Sequence, residues 1–213
     1  MKALRNILIV FVGMIVWSPA AFAADQSMVV GLGYVAHTFA EGDDFRKGTE
    51  YYGNADEISS AGGGEFFAEL YLFDSIGVGF KGQTYANSVT YASSAGNLER
   101  KIEIGTAIVY ATLSIPVGDD WRLGAMGGAG TSTYTVSVTW TPSEAWENLL
   151  PSTTVSETAE GSAGEVGVYA DYGGAGSGVR FGFNTVAAEY PDIGSTTPQG
   201  SGSQLYIDYR YAF

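Results

Sequence analysis

The sequence predicts an all-β fold: an eight-stranded antiparallel up-and-down transmembrane β-barrel with short periplasmic turns and long extracellular loops. Three observations carry this prediction. Eight segments of about ten residues alternate between two sets of side chains, which only a strand sorts onto opposite faces. Their connections run short, then long, in turn. Each basic residue that falls inside one of these segments lies on the polar phase; of the acidic ones, Glu103 and Glu189 break that pattern, and both sit where strands leave the membrane on the loop side.

The first strand is expected over Met28 to Thr38, with Val30, Leu32, Tyr34 and Ala36 opposed to Gly31, Gly33 and His37. The second, Gly64 to Phe73, sets Phe66, Ala68, Leu70 and Leu72 against Glu65, Phe67, Glu69 and Tyr71. A tight turn at Asp74-Ser75 leads to the third, Ile76 to Tyr85, where Val78 and Phe80 oppose Lys81 and Gln83. The fourth, Glu103 to Ile115, separates Ala107, Val109, Ala111, Leu113 and Ile115 from Thr106, Tyr110, Thr112 and Ser114. Pro116 to Asp120 forms the next turn, followed by Trp121 to Gly130 with Trp121, Leu123 and Ala125 opposite Arg122 and Met126. Above Gly130 the apolar phase moves to Tyr134, Val136 and Val138, which a bulge or emergence from the membrane explains. The sixth strand, Glu165 to Tyr172, opposes Val166, Val168, Ala170 and Tyr172 to Glu165, Tyr169 and Asp171. After a turn at Gly173 to Ser177, Val179 to Ala188 sets Val179, Phe181 and Phe183 against Arg180 and Asn184. Gln204 to Phe213 closes the set. The long connections are expected over Ala40 to Gly63, Ala86 to Ile102, Thr139 to Gly164 and Tyr190 to Ser203.

Residues 1–23 stand apart from this pattern. Lys2 and Arg5 precede an apolar run from Ile7 to Val16, and Ala21-Phe22-Ala23 has the small-x-small form of a cleavage site. These features predict a cleaved signal peptide over 1–23 and a single barrel domain over 24–213. Removing the signal leaves 8 basic and 23 acidic residues, a net charge of −15. Such acidity disfavours nucleic acid as a partner, because phosphate binding needs a basic face. With no cysteine there is no disulfide framework, thiolate metal site or cysteine nucleophile. The single histidine excludes the usual His clusters for zinc. No pattern calls for a cofactor.

A membrane barrel turns its apolar face to lipid and its polar face to the lumen. Glu69, Lys81, Arg122, Asp171, Arg180, Asp208 and Arg210 all fall on the polar phase and predict a lumen charge network. The parity of the hairpin at Asp74-Ser75 makes Glu69 and Lys81 the expected closest pair. Trp121, Tyr172, Tyr209 and Tyr211 lie on the apolar phase near the short-turn ends, where an aromatic girdle meets the membrane surface.

Leu205, Ile207, Tyr209, Tyr211 and the final Phe213 form an alternating apolar and aromatic terminal strand. With the signal peptide and eight alternating segments, the chain resembles the small eight-stranded outer-membrane barrels of Gram-negative bacteria: the OmpA transmembrane domain, OmpX, OmpW and the neisserial opacity proteins. That resemblance implies localisation in the cell outer membrane. It also implies reading of the terminal strand by the outer-membrane assembly machinery, and contact with outer-membrane lipid and lipopolysaccharide.

Eight strands enclose an interior just wide enough for side chains. Tyr71, Tyr110, Tyr169 and Tyr206, with glycines opposite, are expected to help fill it. The first functional expectation is therefore a non-enzymatic barrel that displays loops for surface interaction or envelope integrity, with an unknown extracellular ligand. One alternative is a small OmpW-like channel for hydrophobic or small polar solutes. Another is a lipid A-modifying enzyme, for which His37 near the loop end of the first strand is the sole candidate base; the Asp74-Ser75 pair sits at the opposite end. The acidic loops, including Glu41, Asp43, Asp44, Glu144 and Glu147, lack calcium-loop spacing and read as solvated. Trp146, Leu149 and Leu150 between Pro142 and Pro151 read as a loop-packing cluster.

Overall fold

The computed structural model describes residues 28–40, 58–73, 75–173, 176–193, 197, 198 and 200–213. Residues 1–23, where the signal peptide is expected, most of the first long connection and Asp74 lie outside them. Eight strands follow in order: β1 Met28–Phe39, β2 Ser60–Phe73, β3 Ile76–Ser93, β4 Gly96–Val117, β5 Trp121–Pro142, β6 Thr153–Tyr172, β7 Ser177–Glu189 and β8 Gly202–Ala212. Each pairs antiparallel with its sequence neighbour, and β1 pairs with β8 to close the barrel.

Polarity is inside out. Leu32, Val109, Leu113, Val166, Leu205 and Ile207 are exposed on the outer wall, whereas Glu65, Glu69, Lys81, Asp171, Arg180 and Asp208 are buried inside. Only a hydrocarbon surround makes that arrangement favourable, and closure leaves no strand edge unpaired within it.

Four strands are much longer than the sequence predicts. β3 and β4 continue in register to Ser93 and Gly96 and meet in a tight turn, so most of the expected Ala86–Ile102 loop is a hairpin. β5 and β6 likewise run on past the membrane, pairing up to Trp140 and Thr153. No register shift interrupts β5 against either neighbour. The change of pattern above Gly130 is thus emergence from the membrane, without a bulge. Inward and outward positions keep their parity, but the outer surroundings change from acyl chains to water. Outward positions become Thr and Ser, and inward ones become Tyr134, Val136, Val138 and Trp140. A reading keyed to an outward apolar face loses the strand at that height. The one irregularity among these pairings lies between Tyr71 and Phe73, beside the β2–β3 turn.

Glycines let the interior close. Gly79, Gly124 and Gly182 face Tyr110, Tyr169 and Tyr206 across the sheet. A Cβ added at any of the three would collide with the opposing ring. Each ring therefore lies over a bare stretch of neighbouring backbone, which packs the narrow lumen densely.

Candidate functional site

The lumen is layered. Val29, Phe67, Tyr71 and Ala212 pack together at the short-turn end. A charged layer follows, and then an apolar ceiling that includes Phe39, Ile58, Ile102, Ile104, Tyr134 and Tyr190, with Ile193 against it.

Arg180 on β7 is the hub of the charged layer. Its Nη1 and Nη2 donate to the two carboxylate oxygens of Glu69 on β2 at 2.5 and 2.9 Å. Its Nε and Nη2 donate to Asp171 on β6 at 2.7 and 3.0 Å. The guanidinium plane lies between the rings of Tyr169 and Phe67, 3.9 and 4.3 Å from their centroids. Tyr110 and Tyr71 donate their hydroxyls to Glu69 at 2.9 and 3.3 Å. Arg is the residue suited to this place, because its planar fork satisfies two carboxylates while its faces stack on aromatics.

Sequence parity misassigned one pair. Glu69 does not meet Lys81; its register partner on β3 is Gly79. Lys81 instead bonds Glu165 across the barrel and lies 3.8 Å from Glu65. Parity identifies the face a side chain occupies, but not which lumen side chain reaches it across a tilted barrel. Asn184 donates to Glu165, and Gln83 donates to Glu65. Gln204 donates to Gln83 at 3.2 Å, and Thr106 does so at 3.1 Å.

Of the other expected network members, Arg210 donates to the Gly173 carbonyl at 2.5 Å and sits 3.7 Å from Asp171. Arg122 donates to Ser114 at 3.2 Å and lies over the Tyr71 ring. Asp208 is buried on β8 and flanks Gly33 opposite Glu65, with no ion pair among the described residues. Glu65, Glu165 and the amides of Gln83, Asn184 and Gln204 belong to the layer but not to the expected set. Their placement on the same strand phase as Glu69 and Asp171 was the signal for them.

On the outer wall, the Trp121 and Tyr172 rings meet at a tilt with centroids 4.9 Å apart at the short-turn end, and Phe181 approaches Trp121 edge-on. Tyr209, Tyr211 and Phe213 are exposed on the same side of the sheet, as are Leu205 and Ile207.

His37 is buried at the outer end of β1, stacked on Tyr85 and edge-on to Phe39. Neither ring nitrogen has a hydrogen-bond partner among the described residues, a serine hydroxyl included. Among the described residues no group of three or more acidic or histidine side chains gathers as a metal site.

Beyond the membrane, β3 to β6 rise as a four-stranded protrusion. β2 pairs with β3 only up to Ala86, and β7 pairs with β6 only from Ser162 downward, so above those points neither outer edge has a strand partner among the described residues. The tip is a helical turn held by Trp146 and Glu147 amides on the Ser143 carbonyl, and it exposes Trp146, Leu149 and Leu150. Leu149 is 72% exposed, so the expected loop-packing cluster does not bury it. At the base of the protrusion, burial pushes the Tyr134 phenol up to about 12 and raises that of Tyr190 as well.

This architecture has counterparts among solved structures. The attachment invasion locus protein Ail of Yersinia pestis, in complex with the heparin analogue sucrose octasulfate, superposes with a TM-score of 0.51 over 88% of this chain and 97% of that one, at 7% identity. The chain shares the fold of the small eight-stranded outer-membrane barrels. A second Ail structure gives 0.50 at 9% identity over the same shares. The outer membrane protein OprG of Pseudomonas aeruginosa aligns over 88% of this chain and 96% of its own, at 12% identity and a TM-score of 0.48. No protein-family model matches the barrel's sequence, and no curated protein matches it.

Proposed function

We propose that the chain is a non-enzymatic outer-membrane barrel whose extracellular protrusion engages a partner at the cell surface, while its lumen is closed by side chains. The observation that carries this reading is the protrusion itself. Four strands extend well past the lipid-facing belt and carry an exposed Trp-Leu-Leu tip. An exposed aromatic anchor is a typical centre of binding energy.

Lumen closure is supported by the stacked layers: ion pairs buried to within a few per cent of full occlusion below, and an apolar ceiling above. Both features weigh against the channel reading. The lipid A-modifying reading loses support from the seclusion of His37 without a bonded nucleophile. In this proposal residues 1–23 direct export, Phe213 and its alternating neighbours are read by the assembly machinery, and Trp121, Tyr172, Tyr209 and Tyr211 anchor the barrel at the periplasmic interface.

The sulfated ligand of Ail does not carry over by charge. Residues 87–103 and 131–162 hold six carboxylates against Arg100 and Lys101, which repels a polysulfate. The expected partner is protein with an apolar, uncharged or basic surface. Cells displaying the full chain, or a variant with 87–102 and 131–162 replaced by tight turns, would be tested on host-cell monolayers and immobilised matrix proteins. Binding should drop to background in the variant. Equal binding by two equally well-displayed proteins would refute the reading.

A further inference from the structure

The protrusion has two unlike faces. Six successive outward positions of β5, from Thr131 to Thr141, are all Thr or Ser. Of the five outward positions from Thr154 to Ser162 on β6, four are Thr or Ser and the fifth is Glu160. In the middle of this face the hydroxyls join across the strands: Thr135 with Thr158 at 3.1 Å, Ser137 with Ser156 at 2.9 Å and Thr139 with Thr154 at 3.1 Å. Each joined pair spends one donor and one lone pair; Thr135 with Thr158 and Thr139 with Thr154 each keep one O–H donor and three acceptor sites for an outside group, while Ser156 also reaches the Val136 carbonyl at 3.5 Å and its pair offers acceptors. The pairs recur at about 6.8 Å along the strand, the two-residue repeat of a sheet.

This face starts one position above Ala129 and Gly164, the last outward residues of the lipid-facing belt on β5 and β6. It is therefore continuous with the lipid contact and stands beside the headgroups of the outer leaflet. Its composition separates sugar from phosphate. Phosphate recognition calls for cations, but β5 offers none here. On neighbouring β4, Lys101 is paired with Glu103 at 3.1 Å. A wall of donor-acceptor hydroxyls suits a neutral polyhydroxyl surface.

We propose that the outward face of the β5–β6 protrusion is a contact surface for the saccharide of the surrounding outer-leaflet glycolipid. The hydroxyl pairs hold the protrusion upright within that layer by exchanging hydrogen bonds with sugar hydroxyls. The proposal rests on the outer-membrane fold and not on any partner at the tip.

The test reconstitutes the full chain into bilayers of lipopolysaccharide carrying a complete core oligosaccharide, and into bilayers of lipid A alone. The melting temperature is read in each. The wild type should gain several degrees from the core sugars. A Thr135→Val/Ser137→Ala/Thr139→Val variant should lose at least half of that gain, whatever its own baseline. No gain in the wild type, or the same gain in both proteins, overturns the proposal, since crowding acts on both alike. Should the variant not insert, the unaltered chain decides: methyl protons of Thr135 and Thr139 should show nuclear Overhauser contacts to sugar ring protons in core-bearing bilayers. Their absence overturns the proposal equally.

Discussion

Replacing Arg180 by methionine keeps most of the side-chain volume and removes the charge from the middle of the barrel. Four hydrogen bonds go with it, two to Glu69 and two to Asp171. Asp171 retains Arg210 at 3.7 Å, and Glu69 retains only the Tyr110 and Tyr71 hydroxyls. Removing one partner of a buried pair costs about 3–5 kcal/mol, because the other charge stays in a poorly solvating interior. With two carboxylates affected, the upper half of that range applies, roughly a thousandfold in the folding equilibrium. Adding Glu69→Gln removes the stranded charge, and the double variant should recover about 2 kcal/mol, a coupling typical of residues in one network. Lys101→Met is the control. Its pair with Glu103 is about half exposed and should contribute under 1 kcal/mol. The assay is reversible denaturant unfolding of the full barrel in lipid vesicles, followed by tryptophan fluorescence and far-ultraviolet circular dichroism. An Arg180→Met barrel within 1 kcal/mol of wild type, or a double variant no more stable than the single, would refute the account of the charged layer.

Three further outcomes are expected. Gly124→Ala pushes a methyl into the Tyr169 ring and should cost about 1–3 kcal/mol by overpacking; Gly124→Ala/Tyr169→Leu should regain part of it, as measured by the same unfolding assay. Val109→Arg, facing lipid near mid-belt, should destabilise by about 2–4 kcal/mol, whereas Thr135→Arg, outward on the protrusion, should change stability little. Equal costs would mean the membrane boundary is misplaced. The Tyr134 phenol is raised from 10.0 to about 12, so the native state holds a proton that the unfolded chain releases earlier. Its contribution is complete below pH 10 and is lost as pH climbs toward 12; Tyr134→Phe should flatten that part of the stability profile.

Strand number, order and inside-out polarity were legible because lipid imposes one rule on every outward residue from Leu32 to Ile207. The protrusion was not, since the same rule ends at Thr131 and Ser162, where water replaces acyl chains and Val136 and Val138 turn inward without any break in register. Charge location was legible for the same reason as polarity, whereas charge partnership was not. Lys81 reaches Glu165 across the lumen, a contact set by barrel tilt and side-chain length that no local spacing encodes. Asn184 was placed on the polar phase, yet its bond to Glu165, like that of Gln204 to Gln83, was not legible, because amides have no distinctive pattern until a carboxylate or another amide is placed beside them. The tip was legible as composition, with Trp146 between two prolines, but its exposure depends on how far β5 and β6 carry it.

Because β3 to β6 run 18, 22, 22 and 20 residues while β7, β8, β1 and β2 run 13, 11, 12 and 14, the cylinder is cut obliquely, like a quill. It therefore has a front and a back. Among the described residues the β8 and β1 side is the low one, and the inward flank of the tall half faces it. From the β4 and β5 side a macromolecule meets the hydroxyl-clad rear. Rotation about the membrane normal thus changes what the molecule shows its neighbours, and crowding in the bilayer plane becomes a means of deciding which side is on view.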